Sequence, residues 1–262
     1  SFCTMPNISL SNLSHDHDKT LKINRSASYV VRAFINSETQ QKALVTWKIA
    51  QLQNSRRKKN VDRKNAFKST SISMEETVLG NTTIIQKEIS KHTLQYGVYY
   101  IEVLVNATGC MNYNYGFLRV TETPLHVAVS TKPPLDNILK GYHRYLEFNA
   151  SNSFDPDVQK KEQSGLTFTW LCARKNETFG NTATLPVVVP HNSGNRLNVK
   201  GCYGSGPGKL NFTGAHAKLL LDQMEPNKSY IIQLIVEKGS RKENVSYEFE
   251  LKSGNSFHLE IR

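Results

Sequence analysis

No stretch of this chain approaches the ~20 consecutive apolar residues that carry a helix across a bilayer. Its first residues, Ser-Phe-Cys-Thr-Met-Pro, lack the basic-then-apolar order of a secretory leader. An exported chain of this kind is therefore expected to be a mature product or an internal fragment. Cysteine numbers only four, never in Cys-x-x-Cys or Cys/His spacing, which argues against zinc held through cysteine. No Gly-x-Ser-x-Gly elbow and no His/Asp/Ser set stands out. The run Gly204-Ser205-Gly206-Pro207-Gly208 is not followed by Lys-Ser/Thr opening a helix, so a phosphate-cradling loop is excluded. The chain is read as a non-enzyme with no cofactor and no metal. Acid is scarce too, with 22 Asp and Glu against 33 Lys and Arg and a net charge of +11.

Asn-x-Ser/Thr triplets, in contrast, are abundant. They stand at Asn7, Asn12, Asn24, Asn81, Asn106, Asn149, Asn176, Asn211, Asn227 and Asn244. A chain of this size with ordinary composition would show about one or two, and enrichment in Asn, Ser and Thr raises that to ~3–4. Ten such sites point to an exported glycoprotein with these asparagines in surface positions. Four cysteines suit that oxidising space, where an even number signals bridges. Three pairings are possible, and spacing favours Cys172–Cys202 in the second half and Cys3–Cys110 in the first.

At 262 residues the chain has room for two domains of ~100–150 residues. Residues 28–35, 43–50, 97–105 and 117–120 read as strands of the first. In 43–50, Leu44, Thr46 and Lys48 alternate with Val45, Trp47 and Ile49, the period of a half-buried strand with a central Trp. In 97–105, Val98, Tyr100, Glu102 and Leu104 oppose Tyr99, Ile101, Val103 and Val105. The second half repeats the plan at 145–148, 166–172, 229–237 and 247–251, with Trp170 answering Trp47 and Tyr230 answering Tyr100. Residues 217–224 read as a short helix or as a strand with a turn. The fold class is all-β, two tandem immunoglobulin- or fibronectin-III-like sandwiches over 1–122 and 123–262. The join through Thr121-Glu122-Thr123-Pro124 is short, so end-to-end modules with restricted hinge freedom are expected.

Three clusters could carry chemistry. Asp155-Pro156-Asp157 reads as a turn fixed by proline, since one acidic pair falls short of the six to eight oxygens calcium takes. His15-Asp16-His17-Asp18 reads as a solvated loop. Arg56, Arg57, Lys58 and Lys59, continued by Arg63, Lys64 and Lys68, form the densest charge run. Nucleic acid is excluded as a partner for an exported chain, so this run is either a solvated loop or a grip for sulfated glycan or another acidic surface.

The segment Tyr145-Leu-Glu-Phe-Asn-Ala-Ser-Asn-Ser-Phe-Asp-Pro-Asp157, followed by Leu166-Thr-Phe-Thr-Trp-Leu-Cys172, resembles the receptor-for-egg-jelly (REJ) region of the polycystin family. That family similarly runs from a Leu-x-Ala-Ser-x-Ser-x-Asp-Pro-Asp strand-turn into a Tyr/Phe-x-Trp-x-Cys strand. Pro226-Asn-Lys-Ser-Tyr-Ile-Ile-Gln-Leu-Ile-Val236 is similar to its Leu-x-Pro-x-x-x-Tyr-x-Phe-x-Leu-x-Val strand. Val45-Thr-Trp47 and Gly97-Val-Tyr-Tyr-Ile-Glu-Val103 resemble an immunoglobulin-like polycystic kidney disease (PKD) repeat or a related REJ subunit. Lys48-Ile49-Ala50 departs from that repeat, which follows its Trp with an Asp-Phe-Gly-Asp-like acidic turn. Phe257-His258-Leu259-Glu260 departs from the family's His-Leu-Ser/Thr autocleavage tripeptide, with Glu where the nucleophile belongs, so no self-cleavage is expected.

The resemblance implies a glycosylated ectodomain module of a large membrane receptor at the plasma membrane, ciliary or on the sperm surface. Its implied work is adhesion, ligand recognition or mechanical sensing upstream of a cation channel, within a calcium-channel complex. The implied partners are other extracellular protein modules and a polycystin channel subunit, with membrane contact only through the parent chain. The competing expectation is a secreted matrix or egg-coat protein that binds sulfated glycans through its basic loop.

Overall fold

The computed structural model describes residues 4–53, 67–188 and 200–254, with side chains left aside at 67–69. The chain divides into two compact units. The first is Ser1–Thr123 with Asp157–Gln159, and the second is Pro124–Pro156 with Lys160–Arg262.

Among the described residues the first unit has eight strands: β1 (Asn7–Leu10), β2 (Leu21–Asn24), β3 (Tyr29–Asn36), β4 (Gln41–Leu52), β5 (Phe67–Leu79), β6 (Thr83–Ile89), β7 (Gly97–Ala107) and β8 (Cys110–Thr121). They form a five-stranded sheet in the order β2-β8-β7-β4-β5 and a three-stranded sheet β1-β3-β6. Neighbours pair antiparallel except β2, which runs parallel to β8. Alternation decides which side chains enter the core. Val45, Trp47 and Ile49 of β4 and Tyr99, Ile101, Val103 and Val105 of β7 face inward, where they meet Val31, Ala33 and Ile35 of β3 in one cluster. Both sheets contribute to that cluster, which makes the unit a sandwich. β7 and β8 join through Thr108 and Gly109, both at positive φ (51° and 88°). Two residues of that handedness match the twist of the flanking strands, as in a type I′ hairpin.

Among the described residues the second unit has nine strands: β9 (Ser130–Lys132), β10 (Ile138–Lys140), β11 (Tyr145–Asn149), β12 (Thr167–Arg174), β13 (Val187–Val188), β14 (Gly208–Leu210), β15 (His216–Leu220), β16 (Lys228–Lys238) and β17 (Arg241–Ser253). Six make one sheet, β10-β17-β16-β12-β14-β13, and three the other, β15-β11-β9. β10 runs parallel to β17. Leu146 and Phe148 from the small sheet and Trp170, Tyr230, Ile232 and Leu234 from the large one share a single core. Residues 217–224 resolve into β15 and a 3-10 turn at Leu221–Gln223, with Ala217 and Leu219 inward and Lys218 outward. The chain can bring β14 in only because Gly208 lacks a side chain, since a Cβ there would meet Val188 Cγ2 at 2.2 Å.

Trp47 (2% exposed) and Trp170 (0%) each sit at the centre of a core. Their indole N–H groups are satisfied, Trp47 on Glu75 Oε1 at 3.3 Å and Trp170 on the Gly214 carbonyl at 2.9 Å. The tyrosine that answers Tyr230 is Tyr99, which corrects the sequence pairing with Tyr100. Tyr99 lies on the inward face of β7 with Ile101 and Val103, whereas Tyr100 points out. Tyr99 donates its hydroxyl to the Gln95 carbonyl at 2.8 Å, and Tyr230 donates to the Glu225 carbonyl at 2.8 Å while accepting the Glu225 N–H at 3.0 Å. A tyrosine that enters a strand and bonds back four or five residues fixes the corner before it, as in immunoglobulin-like sandwiches. Each unit carries one.

Candidate contact surface

Cys172 of β12 is bridged to Cys202, in the 3-10 turn Gly201–Tyr203, with their Cα atoms 5.4 Å apart. The bridge ties the turn before β14 to the strand beside it in the same sheet. Cys110 is also disulfide-bonded. Cys3, its expected partner, lies outside the described residues.

None of the ten acceptor asparagines is buried. Asn7, Asn12, Asn24, Asn81, Asn176, Asn211, Asn227 and Asn244 are exposed, and Asn106 and Asn149 half-exposed. Several sit where turns require them: Asn12 and Asn227 adopt positive φ, a conformation Asn tolerates better than most residues. Asn7, Asn24, Asn106, Asn149 and Asn244 lie on strands instead, each turned away from the core by the alternation of its strand.

The outer face of the five-stranded sheet in the first unit carries apolar side chains among Lys48, Glu76 and Glu102. Leu44 and Thr46 of β4, Ile72 and Met74 of β5, Leu104 of β7 and Met111, Tyr113, Tyr115 and Phe117 of β8 alternate with the buried set. At one end Tyr100, Tyr115 and Phe117 form a ring cluster with centroids 5.4–6.0 Å apart. The loop at residues 15–18 lies over that end, His15 edge-on to Tyr115 at 4.8 Å and His17 to Phe117 at 6.1 Å. Burial, reinforced by a hydrogen bond to Glu102, raises the pKa of the Tyr100 phenol.

Asp16, His17 and Asp18 place ligand-type atoms within 4.8 Å of one another, all exposed. The loop's internal bonds account for this closeness: the Asp18 N–H donates to Asp16 Oδ1 at 2.9 Å, and the Asp16 N–H to Ser14 Oγ at 3.0 Å. Both carboxylates of the Asp-Pro-Asp turn are buried. Within the second unit Asp155 (1% exposed) accepts two bonds from Arg241 and faces Lys238 Nζ at 2.9 Å. Two cations already answer this carboxylate, which leaves calcium little to gain there. Within the first unit Asp157 (0% exposed) accepts from Thr123 N–H at 2.9 Å, Thr123 Oγ1 at 2.5 Å and the Tyr96 hydroxyl at 2.5 Å. Nothing local to the turn points to Arg241, Thr123 or Tyr96, because pairings across 34–86 residues leave no local pattern.

The small sheet of the second unit carries charge outside. Lys218 Nζ lies 4.6 Å from the Tyr145 ring centre and Arg144 lies 5.1 Å from it. Lys218 also pairs with Glu147 at 3.0 Å, which holds the Glu147 pKa below its usual value. Glu248 raises that of Lys175 in the same way. Burial pushes the Tyr203 phenol up to about 12. These groups all move away from neutrality, the direction that suits structure rather than proton transfer at pH 7. Arg56, Arg57, Lys58, Lys59, Arg63 and Lys64 lie outside the described residues, as do Phe257 to Glu260. Among the described residues no helix is long and apolar enough to cross a membrane.

The REJ domain family model matches residues 35–262. The chain belongs to the REJ family. Its match begins within β3 and so takes in most of the first sandwich and all of the second. In polycystins the REJ domain is extracellular, and this chain is an extracellular module of that type. No curated protein sequence matches it. Among solved structures, red sea bream transglutaminase is 10% identical over 97% of this chain and 32% of its own, with a TM-score of 0.32. Titin domains z1z2 in complex with telethonin are 10% identical over 97% of this chain and 100% of theirs, with a TM-score of 0.37. The REJ chain thus spans about a third of the transglutaminase, and superpositions this loose bear on neither its function nor its partners.

Proposed function

We propose that this REJ chain is a contact module in the ectodomain of a polycystin-like membrane receptor, working in adhesion, ligand recognition or mechanical sensing upstream of a cation channel. It is a glycoprotein and not an enzyme. Its partners are other extracellular protein modules, among them a channel subunit reached through the parent chain, at the plasma membrane of a cilium or sperm cell. The observation that carries the reading is the placement of all ten acceptor asparagines at the surface of two Trp-centred sandwiches. Sugars over so much of the surface leave limited bare sheet for contact, and they blunt the edge strands against unwanted pairing.

A second reading is favoured by the run of six cations between Arg56 and Lys64 on a chain of charge +11. On that reading the chain is a matrix-type protein gripping sulfated glycan. One experiment separates the two. Beads coated with the glycosylated chain are applied to intact cells, untreated, protease-stripped or treated with heparin lyase. Binding lost only after proteolysis supports protein contact. Binding lost after the lyase, and on replacing Arg56, Arg57, Lys58 and Lys59 by Ala, supports the glycan reading. No binding to any of several cell types overturns both.

A further inference from the structure

The outer face of the five-stranded sheet is closed at one end and open at the other. Over the Tyr115 and Phe117 end lie His15 and His17. At the other end Met111 (58% exposed), Tyr113 (57%), Met74 (66%) and Leu44 (38%) remain in solvent. Apolar side chains gathered on one sheet face mark a surface that something covers.

Asn106 stands in the middle of that open end. Register places it directly between Leu44 on β4 and Met111 on β8, with Leu104 and Tyr113 paired in the next outward row. Side chains directly opposite on a sheet are ~4.5–5.5 Å apart at Cβ and diagonal ones ~7–8 Å, within reach of an aromatic ring. Asn106 and Thr108, acceptor and hydroxyl of one triplet, flank Ala107 at the entry to the Thr108–Gly109 turn. The turn is exposed, and the Thr108 hydroxyl donates to Gln41 Oε1 at 3.2 Å. Beside Leu44 runs a groove of about 480 Å³ lined by Lys42, Leu44, Glu76 and Val78.

We propose that the N-linked glycan of Asn106 lies down on this face, its first N-acetylglucosamine rings packed against Tyr113, Met111 and Leu44. The inference rests on the extracellular reading above and adds a definite occupant for one surface. The chemistry fits on both sides. A pyranose ring shows C–H bonds on one face, which pack on the negative face of a phenol ring, and hydroxyls on its rim, which stay wet or meet Lys42 and Glu76. Covalent attachment at Asn106 holds the sugar beside the patch at high effective concentration, so it outcompetes a protein partner arriving from solution. The sheet is thereby sealed from both ends, by the 15–18 loop and by the sugar.

The test uses the whole chain secreted from mammalian cells, with every acceptor site mapped by mass spectrometry. Sugar at Asn106 is required; an Asn106 left bare while other sites are filled overturns this proposal alone. No sugar at any site overturns the extracellular reading itself. Asn106→Gln is then expected to raise binding of an apolar dye about twofold or more and to lower the melting temperature by about 3–6 °C. Tyr113→Ser with the sugar still attached is expected to lose a similar margin, and the double variant little more than either single one. Full additivity of the two overturns the contact. Should Asn106→Gln fail to be secreted, NMR of the wild-type glycoprotein decides. Cross-relaxation between the Tyr113 ring and the first sugar's acetyl methyl supports the proposal, and its absence overturns it.

Discussion

Arg241 grips Asp155 with both ends of its guanidinium, Nη1 to Oδ1 and Nη2 to Oδ2, at 2.6 Å each. The carboxylate is 1% exposed and the arginine side chain 12%, so the pair is sealed from water with Lys238 beside it. Removing one partner of such a pair strands the other charge in a medium that solvates it poorly. Arg241→Ala is expected to destabilise the second unit by about 3 kcal/mol, the low end of the usual range because Lys238 stays. Arg241→Lys should recover only part of that, having one point charge where the site is forked. Denaturant unfolding curves of the three proteins check the order.

Trp170 and Trp47 anchor separate cores, which makes their truncations separable. Each change to Ala is expected to cost about 3–5 kcal/mol. The Trp170 variant should unfold the second unit at lower temperature and leave the first unchanged, and the Trp47 variant the reverse. Calorimetry resolving two transitions would show this; a shift of both by one substitution would contradict it.

Reduction of the Cys172–Cys202 bridge frees a loop of 30 residues. The expected loss is about 2–4 kcal/mol from the second unit. A melting curve in reductant, compared with that of the Cys172→Ala, Cys202→Ala double variant, measures it.

Alkali should act through Tyr203. Its folded pKa of about 12 exceeds the ordinary value of 10, so the folded state favours the neutral phenol. That contribution is fully present below pH 10 and is lost as pH rises towards 12, because the unfolded chain ionises first. The loss is about 1.4 kcal/mol per pH unit across that window. Tyr203→Phe removes this dependence, though it leaves the Leu220 N–H, which the hydroxyl accepts at 2.9 Å, without that bond. Tyr99, Tyr100, Tyr230 and Tyr247 are shifted in the same direction by burial, so the variant retains some alkaline sensitivity. Stability at pH 9, 10.5 and 12 against that of the variant gives the slope.

Strands with strict alternation could be read in advance because period two is itself the burial pattern. The 43–50 reading falls inside β4, and Val45, Trp47 and Ile49 face inward as expected. β1, β2, β5, β6, β9, β10 and the short β13 and β14 went unread. β5, for instance, carries Ser-Thr-Ser-Ile-Ser-Met-Glu-Glu at a sheet margin, where exposure removes the need for apolar alternation. The Tyr100 assignment erred by one residue, and one residue flips a strand's face. The surface positions of the asparagines were legible from their triplets. Their neighbours were not: Leu44, Met111 and Tyr113 meet around Asn106 only through register between three strands.

The parallel pairs β2–β8 and β10–β17 set how each sandwich answers tension. In both, a strand near the start of the unit lies alongside its last strand and points the same way. Pulling the two ends of a unit apart drags these partners in opposite directions along their own axes. Their cross-links then carry the strain together, instead of opening one after another as in a peeled hairpin. A segment with this wiring gives way abruptly above a force threshold and stretches little below it.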